Sequence, residues 1–307
     1  MKRIKDNSVY FKISQDNPEP HLDRNYFFSN KYEKLSSYLL GVKEIKEVLI
    51  TIKKLKENDE DIEVIEKYYK NLFEVFNNEY SNCSELGCFV NACDSTNDLI
   101  KKDYKAFKTI TDLFIKKRKI DDKVPENWVQ AIIDSNSSRR KGDLGEKKLI
   151  SILNKFGFIE VDNWNDFYKN KKCVVRFSKE TFSTVGIRSE LGIKIHTKKQ
   201  DKRLDLLFKY RRKIFLLEAK HLNVGGGEQD KQISELIEIL SLKEVNKSIH
   251  YISFLDGTYS NNLLGYISKR SKKKLRQNKE IKNHLKNNSR NYWVNTAGFK
   301  AFIFNLV

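Results

Sequence analysis

Apolar residues recur at every third or fourth position through much of the first third of the chain, which is the spacing of an amphipathic helix. Such runs cover residues 35–55, 62–76 and 125–133, and another opens after Ser95 and extends to Phe114. The first thirty residues lack this period, so we expect irregular structure there. We therefore predict an all-helical region over residues 1–135.

Strands and helices alternate from residue 136 to residue 260. Helices are predicted from Asp143 and after Gly227, and strand patterns cover residues 173–177, 192–195, 203–208, 213–220 and 249–257. The polar segment 135–142 ends in glycine and is interpreted as a hinge. This order predicts an α/β core with a mixed sheet flanked by helices. We expect the basic segment 261–307 to pack back on this core through its aromatic end.

The central hairpin of this region consists of two strands and a tight turn at residues 211–212. Alternation in the first strand places Asp205 on one face, whereas the other face carries Leu204, Leu206 and Phe208. Because Asp205 and Glu218 are equally far from the turn, they fall opposite each other, with Cβ atoms roughly 5 Å apart. Two carboxylates that close repel each other unless a cation lies between them, so the pair is a candidate divalent-metal site. Lys220 shares the face of Glu218.

The net charge of the chain indicates the kind of partner that it binds. Lys and Arg exceed Asp and Glu by 18, and such an excess is typical of proteins that bind polyanions, most often nucleic acid. No apolar run approaches the ~18 residues of a transmembrane helix. The basic start is followed by no apolar signal region. We therefore expect a cytoplasmic protein that does not bind membranes.

Three basic or glycine-rich segments are candidates for DNA contact. Between Lys269 and Arg290, ten Lys or Arg residues stand against the single Glu280, which favours phosphate contact over a solvated helix face. The glycine run 225–227 precedes a helix and either approaches DNA or is a flexible turn. The predicted DNA-binding residues are Arg139, Arg140, Lys141, Gly226, Gln229, Lys231, Gln232, Lys272, Lys273, Lys274 and Arg276.

The acidic residues and the lysine stand in a recognisable order. Glu146 on a helix, Asp205 on a strand and Glu218-Ala219-Lys220 on the next strand resemble the PD-(D/E)xK nuclease superfamily, and type II restriction endonucleases in particular. The order extends across residues 142–257. The chain departs from the name-giving pattern in having Leu204 before the aspartate where the pattern has proline.

The resemblance implies a restriction-endonuclease-like fold and a set of roles. Asp205, Glu218 and the Ala219 carbonyl would hold Mg²⁺, and Glu146 would bind a second metal or its water shell. Lys220 would orient or help deprotonate the attacking water. The implied activity is sequence-specific cleavage of double-stranded DNA to 5′-phosphate and 3′-hydroxyl ends by a homodimer. No ATPase signature is present, so no nucleotide cofactor is expected, and the helical region would serve recognition or dimerisation.

Several alternatives stay open at this stage. Asp205 and Glu218 could form salt bridges with Arg203, Arg211 or Lys220 and so stabilise the hairpin. Glu146 could be an acidic residue in the first turn of its helix, complementing the helix dipole. The whole protein could be a structure-specific repair or junction-resolving nuclease, or a non-catalytic nucleic-acid-binding protein.

Overall fold

A computed structural model describes residues 4–26, 34–93, 95–135, 138–198, 202–265 and 272–307, with the backbone alone for residues 138–141. The chain divides into two compact units, residues 28–137 and residues 1–27 with 138–307. The sequence analysis placed the first residues with the helical region, whereas this division places them with the sheet. None of the described helices combines the length and the apolar character needed to cross a bilayer.

The unit of residues 28–137 is helical throughout its described part. Its helices are α2 (Leu35–Glu57), α3 (Ile62–Phe76), α4 (Glu85–Ala92), α5 (Asn97–Ile100), α6 (Tyr104–Lys117) and α7 (Glu126–Ser135). Their apolar faces meet in a core that includes Ile52, Leu72 and Phe107. The helix predicted to open after Ser95 is two helices, because Thr96 caps α5 and Asp103 caps α6.

A six-stranded mixed sheet forms the centre of the other unit, in the order β1-β2-β3-β4-β5-β6. The strands are β1 (Ile159–Glu160), β2 (Lys172–Arg176), β3 (Leu206–Tyr210), β4 (Lys213–His221), β5 (Ile249–Asp256) and β6 (Tyr292–Val294). The hairpin strands β3 and β4 are antiparallel, whereas β4, β5 and β6 run parallel. The carboxyl ends of β4 and β5 therefore lie at one edge of the sheet, beside the start of β3.

Helices cover both faces of this sheet, so its central strands are buried on both sides. Apolar residues of α1 (Asn7–Asp16), α8 (Ser138–Lys155) and α14 (Thr296–Leu306) form one core with strand residues such as Phe208 and Leu217. Residues that point the other way, such as Leu207 and Leu216, belong to the second layer. That layer contains α9 (Trp164–Lys169), α10 (Thr184–Leu191), α11 (Gly227–Ser241), α12 (Thr258–Leu264) and α13 (Lys272–Asn287).

The expectation of irregular structure before residue 30 is wrong for α1. Asp6 caps this ten-residue helix, and Tyr10 and Phe11 are buried. The Asn7 side-chain amide donates to the carbonyls of Leu285, Asn288 and Asn291, at 2.9–3.0 Å. A short helix held by such distant contacts carries little periodic signal of its own, because tertiary packing stabilises it.

The strand predicted at residues 192–195 is also wrong. Gly192 has a left-handed backbone (φ 62°) and ends α10, while Ile195 has a φ of 42°. The Glu244 carboxylate accepts hydrogen bonds from the N–H groups of Lys194 and Ile195 at 3.0–3.2 Å. A buried side chain therefore satisfies the backbone groups that a neighbouring strand would otherwise have paired.

The two ends of this unit are joined where α1 packs on α14, and Gly298 makes that approach possible. A Cβ added at Gly298 would lie 2.1 Å from Ser14 Oγ and 2.8 Å from the Tyr10 carbonyl oxygen. We predict that Gly298→Ala lowers the free energy of unfolding by about 1–3 kcal/mol, because the two helices must separate. Urea denaturation followed by circular dichroism measures this loss.

The matched control is Gly142→Ala, because a Cβ at Gly142 would meet no atom of the described residues within 4 Å. This change in a helix should leave the stability equal or slightly higher. Equal urea midpoints for the two variants would contradict the packing of α1 against α14.

Candidate active site

A cleft of about 470 Å³ opens at the edge of the sheet where β4 and β5 end. It collects three of the four acidic or basic residues predicted to act together, Glu146, Asp205 and Lys220. Its other lining residues come from the α8 start, the strand ends, the glycine loop and Tyr26: Gly142, Gly145, Ala219, His221, Leu222, Asn223, Val224, Gln229, Gln232, Phe254 and Asp256. The elements that the sequence order brings together thus meet at one place.

The register of the central hairpin agrees with the prediction. Leu206 pairs with Leu217 and Tyr210 pairs with Lys213, so the turn falls at residues 211–212. The pairing ends at Leu206 and Leu217, so the predicted opposition of Asp205 and Glu218 lies one step beyond it. The Asp205 N–H donates to the Leu217 carbonyl at 3.1 Å, which places Asp205 beside the residue that precedes Glu218. Leu204 is an exception to the predicted alternation, because it packs with Leu207 in the second layer.

Asp205 is half-buried and strongly influenced by its neighbours. Its Oδ2 accepts a hydrogen bond from the Ala219 N–H at 2.6 Å. Burial and the nearby Glu218 carboxylate raise the pKa of Asp205 to about 7, despite the opposing effect of the Ala219 hydrogen bond and Lys220. A carboxyl group that is this difficult to ionise would be stabilised as an anion by a bound cation.

Glu218 is almost completely buried, with 2% of its side chain exposed. Its Oε1 contacts Lys220 Nζ at 2.7 Å and Lys202 Nζ at 3.0 Å. Its Oε2 is buried and has no hydrogen-bond partner among the described residues. The salt-bridge alternative is therefore correct for Glu218 and Lys220, yet it leaves one oxygen of the carboxylate unsatisfied.

The Lys220 side chain extends from β4 into the cleft with 22% of its surface exposed. Burial lowers the pKa of Lys220, but the Glu218 and Asp205 carboxylates outweigh burial, so the pKa lies above its ordinary value. Lys220 is therefore an ammonium near neutral pH in this arrangement. It is suited to orienting water or screening an anion rather than to removing a proton.

Glu146 lines the cleft from the middle of α8, not from its first turn. The helix begins at Ser138, because the segment predicted as a hinge is mostly helical. The interpretation of Glu146 as a residue that complements the helix dipole is therefore wrong, since that effect is confined to the first turn. Burial raises the pKa of Glu146, although Arg176, whose Nη1 lies 3.5 Å from Glu146 Oε2, opposes the shift.

A second buried network in the cleft escaped the sequence analysis. Asp256, 1% exposed, accepts hydrogen bonds from Tyr26 Oη at 2.7 Å and Lys148 Nζ at 2.7 Å, and its Oδ1 lies 2.9 Å from His221 Nδ1. Tyr26 stacks on His221 with ring centroids 3.7 Å apart, and Asp23 contacts Lys148 at 2.7 Å. His221 meets Asp256 through the pairing of β4 with β5, and the other members come from segments distant in sequence, so no local motif could indicate the network.

The glycine loop before α11 brings part of the predicted DNA-contact set to the cleft. Gln229 and Gln232 line the cleft, whereas Lys231 is exposed and lies 3.5 Å from Glu228. Gly225 allows a close approach, because a Cβ there would lie 2.7 Å from the Tyr259 ring. Gly226 has an extended backbone and precedes the helix without a side-chain cap.

Basic residues form a continuous stripe on α13. At 3.6 residues per turn, five of them fall within an arc of about 120° and along about 21 Å of helix. All five are exposed: Lys272, Arg276, Lys279, Lys282 and Lys286. Two other predicted DNA contacts on α13 bind the protein itself, because Lys273 lies 2.6 Å from Asp230 and Lys274 lies over the Tyr259 ring.

The predicted contacts Arg139, Arg140 and Lys141 lie outside the residues whose side chains are described. Among the described side chains, no group of three or more His, Cys, Asp and Glu residues is arranged as a complete metal-ligand set. In the described arrangement the lysines, rather than a second carboxylate, contact Glu218 Oε1.

Comparisons with protein-family models, curated proteins and solved structures give no match to this chain.

The unusual pKa of Asp205 has a measurable consequence in metal-free protein. Because folding raises this pKa to about 7, the folded state takes up a proton between about pH 4 and pH 7, and stability falls as the pH rises through that window. Asp205→Asn removes the charge and keeps an oxygen for the Ala219 N–H. We predict that the variant is more stable than the wild type by about 1–2 kcal/mol at pH 8 and equal to it near pH 4.

Urea unfolding at pH 4, 6 and 8 in EDTA measures this difference. Asp143→Asn, which changes an exposed carboxylate on α8, serves as the control and should show no such dependence. A wild type and an Asp205→Asn variant with parallel stability profiles would contradict the raised pKa.

Proposed function

We propose that this protein is a Mg²⁺-dependent endonuclease of the PD-(D/E)xK type that cleaves double-stranded DNA. The observation that carries the proposal is the pair formed by Asp205 and Glu218. Glu218 has a buried oxygen with no partner among the described residues, and its charge disfavours the ionisation of Asp205, which lines one cleft with Lys220. These are the residue types, chain order and placement that the superfamily resemblance implies.

The donor atoms fit a hard divalent cation. Carboxylate and backbone carbonyl oxygens are preferred ligands of Mg²⁺, which retains several waters when it binds to proteins. Asp205, Glu218 through its free Oε2, and the Ala219 carbonyl would hold the ion. When bound, Mg²⁺ supplies Lewis acidity toward a water and toward the scissile phosphate.

The remaining residues act on water and phosphate. Lys220, an ammonium held by Glu218, would orient the attacking water and screen the negative charge that grows on the phosphoryl oxygens. Glu146, which also lines the cleft, would accept hydrogen bonds from water near the phosphate or bind a second ion. Hydrolysis with displacement of the 3′-oxygen leaves a 5′-phosphate and a 3′-hydroxyl.

Charged and hydrogen-bonding groups support DNA as the substrate. The basic stripe on α13 matches the repeating charges of a phosphate backbone, and Gln229 and Gln232 offer amide groups that can pair with a base edge or a phosphate. Sequence-specific cleavage of both strands favours a homodimer, because each catalytic core would then cut one strand.

We predict that the purified protein converts plasmid DNA to discrete fragments with Mg²⁺ and not with EDTA. Asp205→Ala removes a metal ligand and Lys220→Ala removes the ammonium, so each should lower the cleavage rate about 100-fold or more. Gel electrophoresis follows the rate, and ligation of the fragments without added kinase tests for 5′-phosphate ends.

Lys213→Ala is the matched control, since Lys213 is an exposed lysine at the other end of β4; it should cleave at the wild-type rate. Cleavage of branched DNA alone would replace the restriction-type activity with a junction-resolving one. Cleavage that persists in both Asp205→Ala and Lys220→Ala would overturn the assignment of the site.

The basic stripe on α13 predicts the salt dependence of DNA binding. Lys279→Gln, Lys282→Gln and Lys286→Gln should each weaken binding and lower the slope of log K against log salt by about 0.9 if the residue contacts one phosphate. Fluorescence anisotropy with a labelled duplex in EDTA gives the slope. Lys300→Gln, an exposed lysine on α14 on the opposite face of the sheet, should leave the slope unchanged.

A further inference from the structure

Four charged side chains lie in contact with one another near the end of β4. The ammonium groups of Lys202 and Lys220 each contact the same two oxygens, Glu218 Oε1 and Glu235 Oε2. The four Nζ to oxygen distances are 3.0 and 2.9 Å for Lys202 and 2.7 and 3.8 Å for Lys220. We call these four residues the charge ring.

Two members of the charge ring stand outside the Glu-x-Lys motif. Lys202 precedes β3, and its side chain is 9% exposed. Glu235 lies on α11, the helix that carries Gln229 and Gln232, and is 39% exposed. A buried lysine is costly unless it is paired, and Lys202 has both carboxylates of the ring as partners.

The charge ring explains why Glu218 can keep one oxygen free. Two ammonium groups on Oε1 hold the carboxylate in one orientation, which leaves the buried Oε2 without a partner in the described part of the chain. Without Glu235, the other three side chains would carry two positive charges and one negative charge. Glu235 makes the ring neutral, so a divalent cation approaching Oε2 meets no net positive charge from these four residues.

We propose that Lys202 and Glu235 are positioning residues that set the metal affinity of Glu218 and fix Lys220 through the charge ring. This inference rests on the proposed function and adds two residues that no motif contains. It also links α11 to the site, because Glu235 and the two glutamines that line the cleft belong to the same helix.

Substitutions that change the charge of the ring in opposite directions test the proposal, because they should shift the metal affinity in opposite directions. Lys202→Met gives the ring a net negative charge and should tighten Mn²⁺ binding on the order of tenfold, whereas Glu235→Gln gives it a positive charge and should weaken binding by a similar factor. The double variant restores neutrality, so its affinity should return close to the wild-type value. Isothermal titration calorimetry of the full-length protein with Mn²⁺, in the absence of DNA, measures all three affinities.

Three further variants complete the experiment. Lys202→Arg keeps the charge and should keep the affinity, and Glu228→Gln, an exposed change on the same helix, should have no effect. Asp205→Asn should weaken Mn²⁺ binding strongly. If Lys202→Met does not fold, Glu235→Gln and Lys202→Arg show whether the charge of the ring changes the Mn²⁺ affinity in the expected direction. Both variants are suited to this because Glu235 is partly exposed and Lys202→Arg retains the charge.

The outcomes separate this inference from the proposed function. Equal losses of Mn²⁺ affinity in Lys202→Met and Glu235→Gln, or no change of affinity in either, would overturn the role of the charge ring. The metal site itself would still be supported if Mn²⁺ binding depended on Asp205. A wild type that does not bind Mn²⁺, or binds it as well after Asp205→Asn, would overturn both. Opposite shifts that cancel in the double variant support the inference, because a merely structural role would give losses that add.

Discussion

The repulsion between two carboxylates at one edge of the sheet is the constraint on which the site depends. The hairpin contributes to it, since the Asp205 N–H donates to the Leu217 carbonyl and Asp205 Oδ2 accepts from the Ala219 N–H, which holds Asp205 beside the residues on either side of Glu218. At roughly 5 Å and an effective dielectric constant of about 20, two unit charges repel by about 3 kcal/mol. This is a large part of a typical domain's stability, so the surroundings must offset it.

The surroundings offset the repulsion in two ways. Lys202 and Lys220 satisfy one oxygen of Glu218. The pKa of Asp205 is raised to about 7, so this carboxyl group retains its proton up to about that pH. Both responses follow from burial by helices on the two faces of the sheet, because a low dielectric makes an isolated charge costly. A bound divalent cation would satisfy both carboxylates at once, and this is the physical argument for the proposed metal.

Local patterns were sufficient to predict the parts of the site that lie close together in sequence. The hairpin register from residue 206 to residue 217 was predictable because its turn and alternation are local, and the helices α2 and α3 followed from their periodicity. The roles of Lys202, Glu235 and Asp256 were not predictable from local patterns. Each of these residues meets its partners only after the parallel pairing of β4 with β5 and the packing of α11. The α1 helix was missed for the same reason, because distant carbonyls anchor Asn7.

Asp256, which lines the cleft, and Glu218, which does not, are buried acidic residues with contrasting surroundings, and the contrast supports different roles. Both oxygens of Asp256 have partners, His221 on one and Lys148 with Tyr26 on the other, so this residue needs no ligand. Glu218 has both of its lysines on one oxygen, and its other oxygen has no hydrogen-bond partner among the described side chains. A fully satisfied network of this kind stabilises the ends of β4 and β5, whereas a half-satisfied carboxylate beside Asp205 is costly unless a ligand completes it. The acid that a sequence motif singled out is therefore also the one whose surroundings call for a cation.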